Sequence, residues 1–294
     1  MPATREIVEA VLEAQPEDET AMVLSGREID EARGEWMLEA WLEEEPSSAQ
    51  LQALKALFPA LAPELNVERL EEQDWVTLSQ AGMEPIRAGR FHVRTPDHPA
   101  PDKAGLVDLV IPASQAFGTG QHATTAGCLA MLDRMEERGE RPARIVDVGT
   151  GTGLLAFAAL RLWSDAMVIA SDIDPVCESV LRENAKLNNV PLGDVASELS
   201  VVTAPGLDHP MLRKGAPYDL LIANILARPL IDLAPEFAPH VAPGGSVLLA
   251  GLLEAQEAAV LDAYNRVGIR LVERIISGDW SILWLRKSSR PLSG

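Results

Sequence analysis

Basic residues are scarce in this sequence: 25 lysines and arginines stand against 44 aspartates and glutamates, for a net charge of −19. Grip on free DNA or RNA draws mainly on basic side chains set against phosphates, so direct nucleic-acid binding is not expected. The acid excess serves solubility. It also favours a basic partner, because opposite fields raise encounter rates. Cysteine is nearly absent. Cys128 and Cys177 lie far apart and in no Cys-x-x-Cys pair, which suits a reducing compartment and a chain without disulfides. The opening "MPATREIVEAVLEAQ" does not read as a signal peptide, since it carries acids every few residues and has no basic segment followed by an apolar one. No apolar run reaches membrane-spanning length; stretches such as "GLLAFAALRLW" are soon interrupted by charge. Repeats and low-complexity segments are also lacking. These absences predict a soluble cytoplasmic protein with no membrane contact; a monomer is expected, although the sequence itself does not give the oligomeric state.

What is present is a globular composition, 47% hydrophobic over 294 residues, enough for one large domain or two ordinary ones. Acid is unevenly spread: Met1 to Asp74 holds nineteen Asp or Glu and five Lys or Arg. That asymmetry predicts a small α+β domain over 1–73, a linker helix over 74–85 ("DWVTLSQAGM" at its centre) and a larger domain over 86–294. In the small domain "REIVEAVLEA" has helical spacing. "TAMVLSGREID" and "GEWMLEAWLEEE" read as two strands joined by a polar turn. "SSAQLQALKALFPAL" reads as a helix capped by Ser47 or Ser48, and "LNVERLEE" as a further strand. "PIRAGRFHV" and "LVDLVIPA" read as strands flanking a proline-rich loop. From Thr124 onward helices and strands alternate: "TTAGCLAMLDRMEER", "RIVDV", "LLAFAALRLW", "MVIAS", "PVCESVLRENAKLNN", "ELSVVT", "YDLLIAN", "RPLIDLAPEFAPHV" (a helix interrupted by Pro235), "GGSVLLAG" and "EAQEAAVLDAYNRV". Such alternation gives a mostly parallel sheet with helices on both faces. Two consecutive strands, "IRLVERIIS" and "DWSILWLRK", then imply an antiparallel hairpin at one edge.

Two Gly-Thr-Gly loops stand about thirty residues apart, in "AFGTGQHATT" (Ala116 to Thr125) and "DVGTGTG" (Asp147 to Gly153). Neither contains lysine, so neither is a P-loop. The second follows the first strand of the alternating region, where ligands sit beyond the carboxyl ends of the strands and missing Cβ atoms let backbone approach them. A tight strand-to-helix turn is the purely structural reading. In a dinucleotide fingerprint a small residue is wanted where Leu154 stands. Asp147 followed by Gly149-Thr-Gly151-Thr-Gly153 is instead the pattern of class I S-adenosylmethionine-dependent methyltransferases. An acid should follow the next strand to hold ribose hydroxyls. Asp172 comes directly off that strand, whereas Asp174, before Pro175, reads as a helix N-cap.

The strand "YDLLIAN" ends at Asn224. Methyltransferases of planar bases and glutamine amides carry Asn-Pro-Pro-Tyr or a relative there, the aromatic stacking on the flat acceptor. Here Ile225, Leu226 and Ala227 follow, with no proline pair and no aromatic. A planar base is disfavoured. Asn224 offers an amide oxygen that can accept from an amine and align it; the structural alternative is that it ties down the strand-end turn.

"AFGTGQHATT", "DVGTGTG", "SDIDP" and "ANILA", in this order and spacing, resemble the ribosomal protein L11 methyltransferase family, the PrmA type. The resemblance covers roughly Asp74 to Lys287, and its most specific part is Phe-Gly-Thr-Gly-x-His-x-Thr-Thr. It implies a small N-terminal substrate-recognition domain, a helical linker and a Rossmann-like class I methyltransferase domain. The implied reaction moves methyl groups from S-adenosyl-L-methionine to the N-terminal amine and lysine ε-amines of a basic large-subunit ribosomal protein. The amine nitrogen attacks the methyl carbon in line, with alignment and desolvation as the protein's main contribution. Carried over residue by residue, the cofactor contacts are Thr125, Gly149, Asp172 and Asn224, with Gly151 in the same floor. Phe117, Gly118, Thr119 and Gly120 form a cover over the methionine end. His122 would then sit near the site, either taking part in the chemistry or hydrogen-bonding that cover into shape. No metal is implied. The family's small domain usually opens with a strand, whereas this chain starts at the helix that follows. Rival readings are a protein-lysine methyltransferase with another target, a cofactor-binding regulator without activity, against which "ANILA" speaks, and a dinucleotide-dependent oxidoreductase, against which Leu154 speaks.

Overall fold

Residues 22–30, 35–42, 46–56, 65–67, 85–103, 105–112 and 121–289 are described by a computed structural model. The chain divides into two compact units, Met1–Asp74 and Trp75–Gly294. In the first, β1 (Met22–Asp30) and β2 (Glu35–Leu42) pair antiparallel, Met22 opposite Leu42, with an irregularity between Glu28 and Asp30. Helix α1 (Ser48–Ala56) follows. Ser47, not Ser48, caps it. The Ser47 hydroxyl accepts from Gln50 N (3.3 Å), and Gln50 Oε1 accepts from Ser47 N (2.9 Å). This reciprocal box is built from Ser-x-x-Gln. Leu65–Val67 is not strand, so the predicted strand "LNVERLEE" is not found over its first three residues. Its remainder, the helix "REIVEAVLEA" and the linker helix lie outside the described residues.

The second unit begins with a three-stranded sheet of β3 (Ile86–Ala88), β4 (Phe91–Arg94) and β5 (Val107–Val110). "PIRAGRFHV" is therefore a hairpin and not one strand. It turns at Gly89, whose φ of +54° suits glycine, and Arg90 N donates to Asp133 Oδ2 at 3.0 Å. Strand β5 runs parallel to β4, with Asp108 opposite His92.

Next come α2 (Gln121–Glu137), β6 (Arg144–Val148), α3 (Leu154–Leu162), β7 (Met167–Asp172), α4 (Pro175–Leu187), β8 (Leu199–Thr203), α5 (Pro210–Gly215), β9 (Tyr218–Asn224), α6 (Ala227–His240), β10 (Val241–Leu253), α7 (Glu257–Arg266), β11 (Ile269–Ser277) and β12 (Trp280–Lys287). Seven strands form one sheet in the order β11-β12-β10-β9-β6-β7-β8. The five from β8 to β10 are parallel. Strand β12 is antiparallel to both β10 and β11, so the last strand of the hairpin is the inner one and β11 forms the edge. This is the mostly parallel sheet that the alternation predicted, closed by the antiparallel edge hairpin expected from two consecutive strands, and it matches the Rossmann-like methyltransferase sheet that the resemblance implied.

Strand residues alternate between two apolar clusters. Ile145, Leu220, Ile222 and Leu248 face α2, α3 and the small sheet. Val146, Leu221, Ala223 and Leu249 face α5, α6 and α7. A period of two on strands buried on both faces produces this split. Two further expectations need correction. Helix α6 runs unbroken through Pro235 and Pro239. Both prolines are exposed, so their rings crowd no packed neighbour, while Leu230, Ala234 and Phe237 anchor the opposite face. Helix α5 was not expected, because six residues are too few to show a period.

Candidate functional site

Strands β6 and β9 are neighbours at which the chain's path reverses across the sheet, and the crevice beyond their carboxyl ends is the place where ligands bind in such sheets. Strand β6 ends in Val148, and the turn Gly149–Gly153 leads into α3. Gly149, Gly151 and Gly153 have φ of +72°, +52° and +85°, a backbone that side-chain-bearing residues rarely adopt. Gly149 N and Thr150 N donate to Ser171 O of β7 at 2.8 and 3.0 Å. The Thr150 hydroxyl donates to Asp147 Oδ2 at 2.7 Å. Asp147 is almost wholly buried. Burial pushes its carboxyl up to about 7, against the hydrogen bonds from Thr150 and from the Ala156 backbone, and the nearby Asp172 charge adds to the rise.

Asp172, the last residue of β7, is half-buried. Its Oδ2 accepts from Gly151 N at 2.8 Å, and its Oδ1 from Asp174 N at 3.0 Å. A carboxylate has about four lone-pair sites, so two backbone bonds orient this one and leave capacity for hydroxyls. Asp174 does what its place before Pro175 predicts: its Oδ1 accepts from Val176 N at 2.9 Å and caps α4. Cys177, one turn in, has its thiol pushed up to about 11 by burial and by the Asp172 and Asp174 charges. It is not a thiolate at neutral pH.

Asn224 ends β9 and is half-buried. It is the register partner of Ala250 on β10, and Ala223 beside it is the partner of Val148. Among the described residues no hydrogen bond engages its side-chain amide, which is therefore not spent on the strand-end turn. Leu226, two residues on, is 70% exposed.

Gly149, Gly151, Asp172 and Asn224 thus come together at one end of the sheet. Thr125 stands on another element, in the second turn of α2, half-buried. Phe117, Gly118, Thr119, Gly120 and the His122 side chain lie outside the described residues. Two features of the site were missed in the sequence. The buried Asn184 of α4 donates from Nδ2 to Thr152 O in the glycine turn at 3.0 Å. Its spacing of four from Asn188, which puts two amides on one helical face, was the available signal. Gly251 was the other: a glycine inside a strand pattern marks a bulge or a close backbone approach.

The residues present suit S-adenosylmethionine. The glycine turn carries no lysine or arginine to neutralise a pyrophosphate, while Asp172 beside it suits ribose hydroxyls. A Cβ on Gly151 would meet no atom of the described residues within 4 Å, so among them that part of the turn lies open.

Comparison with known proteins agrees. The model of the family described as "Ribosomal protein L11 methyltransferase (PrmA)" matches residues 7–288. A ribosomal protein L11 methyltransferase of Agrobacterium fabrum is 39% identical over 275 residues, covering 92% of this chain and 90% of its own length. One of Sinorhizobium fredii is 42% identical over 274 residues, covering 92% and 91%. Among solved structures, a ribosomal protein L11 methylase from Lactobacillus delbrueckii subsp. bulgaricus superposes with a TM-score of 0.57 at 29% identity, over 70% of this chain and all of that one.

Proposed function

Since the chain belongs to the ribosomal protein L11 methyltransferase family and uses S-adenosylmethionine as methyl donor, we propose that it methylates amino groups, the N-terminal α-amine and lysine ε-amines, of ribosomal protein L11. The observation that carries the amine specificity is Asn224. Its amide is uncommitted among the described residues, and Ile225 and Leu226 follow it where base-modifying enzymes place prolines and an aromatic. An aliphatic amine fits this setting; a stacked base does not.

In this reading Asp172 accepts the ribose hydroxyls of the cofactor, Gly149 and Gly151 let its amino-acid end lie on the turn, and Thr125 and the Phe117–Gly120 loop complete its enclosure. When bound, the cofactor supplies an already activated methyl group on its sulfonium. The protein's share is alignment and exclusion of water. Asn224 accepts a hydrogen bond from the acceptor amine and points its lone pair. That amine must be neutral to react. An α-amine with a pKa near about 8 is partly free at neutral pH, whereas a lysine near about 10.4 needs its pKa lowered. Desolvation beside a sulfonium lowers both. The acidic N-terminal unit receives the basic ribosomal protein.

The test incubates the purified enzyme with labelled S-adenosylmethionine, ribosomal protein L11 and cell extract, then maps the label by mass spectrometry. Label on L11 amines is expected. Label confined to another protein supports a different target, and label on RNA or on side-chain amides refutes the amine reading.

A further inference from the structure

The strand ladders on either side of β9 stop at Val148↔Ala223 and Ala250↔Asn224. Beyond those pairs no sheet hydrogen bond among the described residues holds the chain, and Ile225 is the first residue past the ladder, directly after Asn224. Three residues meet there: Gly149 after β6, Ile225 after β9, and Gly251 at the irregularity of β10 between Leu249 and Leu252. A Cβ on Gly149 would overlap Cγ2 of Ile225, and among the described residues it would touch no other residue's atoms within 4 Å. A Cβ on Gly251 would overlap the carbonyl oxygen of Ile225 and lie 2.8 Å from its carbonyl carbon and 3.0 Å from its nitrogen. Both glycines have positive φ, +72° and +82°. One residue thus demands a bare backbone on two separate elements, from one by its side chain and from the other by its main chain. Ile225 itself is half-buried and packed against the cluster beneath α6, while its neighbour Leu226 is turned outward.

We propose that Ile225 is a positioning residue for methyl transfer: a wedge between the glycine turn and β10 that sets where Asn224 stands relative to the cofactor floor. Its β-branched methyl is the contact with the turn, and Gly251 is the seat of its backbone. The inference rests on the reading that Asn224 meets the acceptor amine. It goes further in assigning the spacing of that site to a residue that itself need not touch cofactor or acceptor through its side chain.

The discriminating change is isomeric. Ile225→Leu keeps volume and hydrophobicity but moves the branch one carbon out, vacating the position against Gly149. Ile225→Val keeps the Cγ2 methyl. Both, with Gly251→Ala and Asn224→Ala, are assayed for kcat, acceptor KM, cofactor affinity by calorimetry and thermal midpoint. Ile225→Val should turn over at the wild-type rate. Ile225→Leu and Gly251→Ala should lose kcat by about 10- to 100-fold, as small misplacements of a reacting pair do, with acceptor KM held and the Ile225→Leu midpoint close to wild type. Wild-type kcat in Ile225→Leu overturns the proposal. So does a loss of kcat that only tracks a fallen midpoint and weakened cofactor binding, which marks mere packing. If Gly251→Ala does not fold, Ile225→Leu decides. Full turnover in Asn224→Ala refutes the acceptor reading and with it the role of Ile225 in placing Asn224, whereas a lost kcat in Asn224→Ala beside wild-type kcat in Ile225→Leu refutes the wedge alone.

Discussion

Asp172 and Asp174 are the same residue type two positions apart, and the backbone gives them different work. Asp174 closes a helix end; Asp172 ties the glycine turn to β7 and keeps lone pairs to spare. Asp172→Ala should weaken cofactor binding by the value of a charge-assisted bond, roughly 1.5–3 kcal/mol, and should also free Gly151 N–H. Asp172→Asn, which retains one acceptor for Gly151, should show the loss without loosening the turn. Asp174→Ala should keep cofactor affinity and lose about 1 kcal/mol of stability through its cap. Calorimetry beside thermal melts separates these cases, and unchanged affinity in a folded Asp172→Ala protein would remove it from the cofactor site. Asp147 carries a second expectation. Its folded pKa lies near 7, above the ordinary 3.8. The folded form therefore holds a proton that the unfolded chain has already released. Stability is then greatest below about 4 and declines as pH rises to about 7, with a slope of up to about 1.4 kcal/mol per pH unit from this group. Asp147→Asn, which cannot ionise, should flatten the profile between pH 5 and 7 in urea unfolding; an unaltered slope would show that Asp147 is ionised throughout. Asn224→Ala should damage turnover far more than cofactor affinity, because the residue is assigned to the acceptor and not to the ribose.

At the level of elements, most of the alternating region was legible because buried strands and amphipathic helices print their periods directly. "RIVDV", "MVIAS" and "YDLLIAN" became β6, β7 and β9 within a residue or so. The misses have local causes. The β3–β4 hairpin hides in "PIRAGRFHV" because its turn, Gly89 and Arg90, is as short as a turn can be. Helix α5 is shorter than two helical turns. Pro235 was weighted by propensity alone, whereas an exposed proline in a helix anchored on its other face is tolerable. Of the site, the glycines, Asp172 and Asn224 were visible as motif letters at strand ends. Asn184 and Ile225 were not, since each acts through a partner distant in sequence. Asn184 offers a direct check on an element-level tie. Removing its amide leaves the Thr152 carbonyl buried without a donor, and a buried unpaired group costs about 1–3 kcal/mol. Asn184→Ala should lower stability by that amount and weaken cofactor binding, while Asn184→Asp, which can donate only when protonated, should recover toward wild type at low pH. A stable Asn184→Ala protein with unchanged affinity would show that water replaces the amide.

On the scale of the whole molecule, the chemistry and the charge lie in different parts of the chain. Gly149, Asp172 and Asn224 all belong to Trp75–Gly294, while Met1–Asp74, with nineteen acids against five bases, carries −14 of the net charge of −19. If the first unit recruits the basic substrate and the second performs the transfer, ionic strength should act on them unequally. Exposed charge works at range and is screened over about 8–10 Å at physiological salt. In the proposed reading, cofactor binding rests instead on short bonds to the glycine turn and Asp172. Raising salt from about 0.05 to 0.5 M should therefore raise the KM for the ribosomal protein while cofactor affinity and kcat hold. The matching experiment removes the first unit. A fragment starting at Trp75, shown folded by circular dichroism and by cofactor binding near the full-length value, should fail to methylate the ribosomal protein at concentrations that saturate the intact enzyme. It should still modify a small amine or short peptide, slowly and without salt dependence. Methylation of the ribosomal protein by that fragment at the full-length rate would place substrate recognition within Trp75–Gly294. A salt-independent KM in the intact enzyme would mean that the acids of Met1–Asp74 serve solubility and not recruitment.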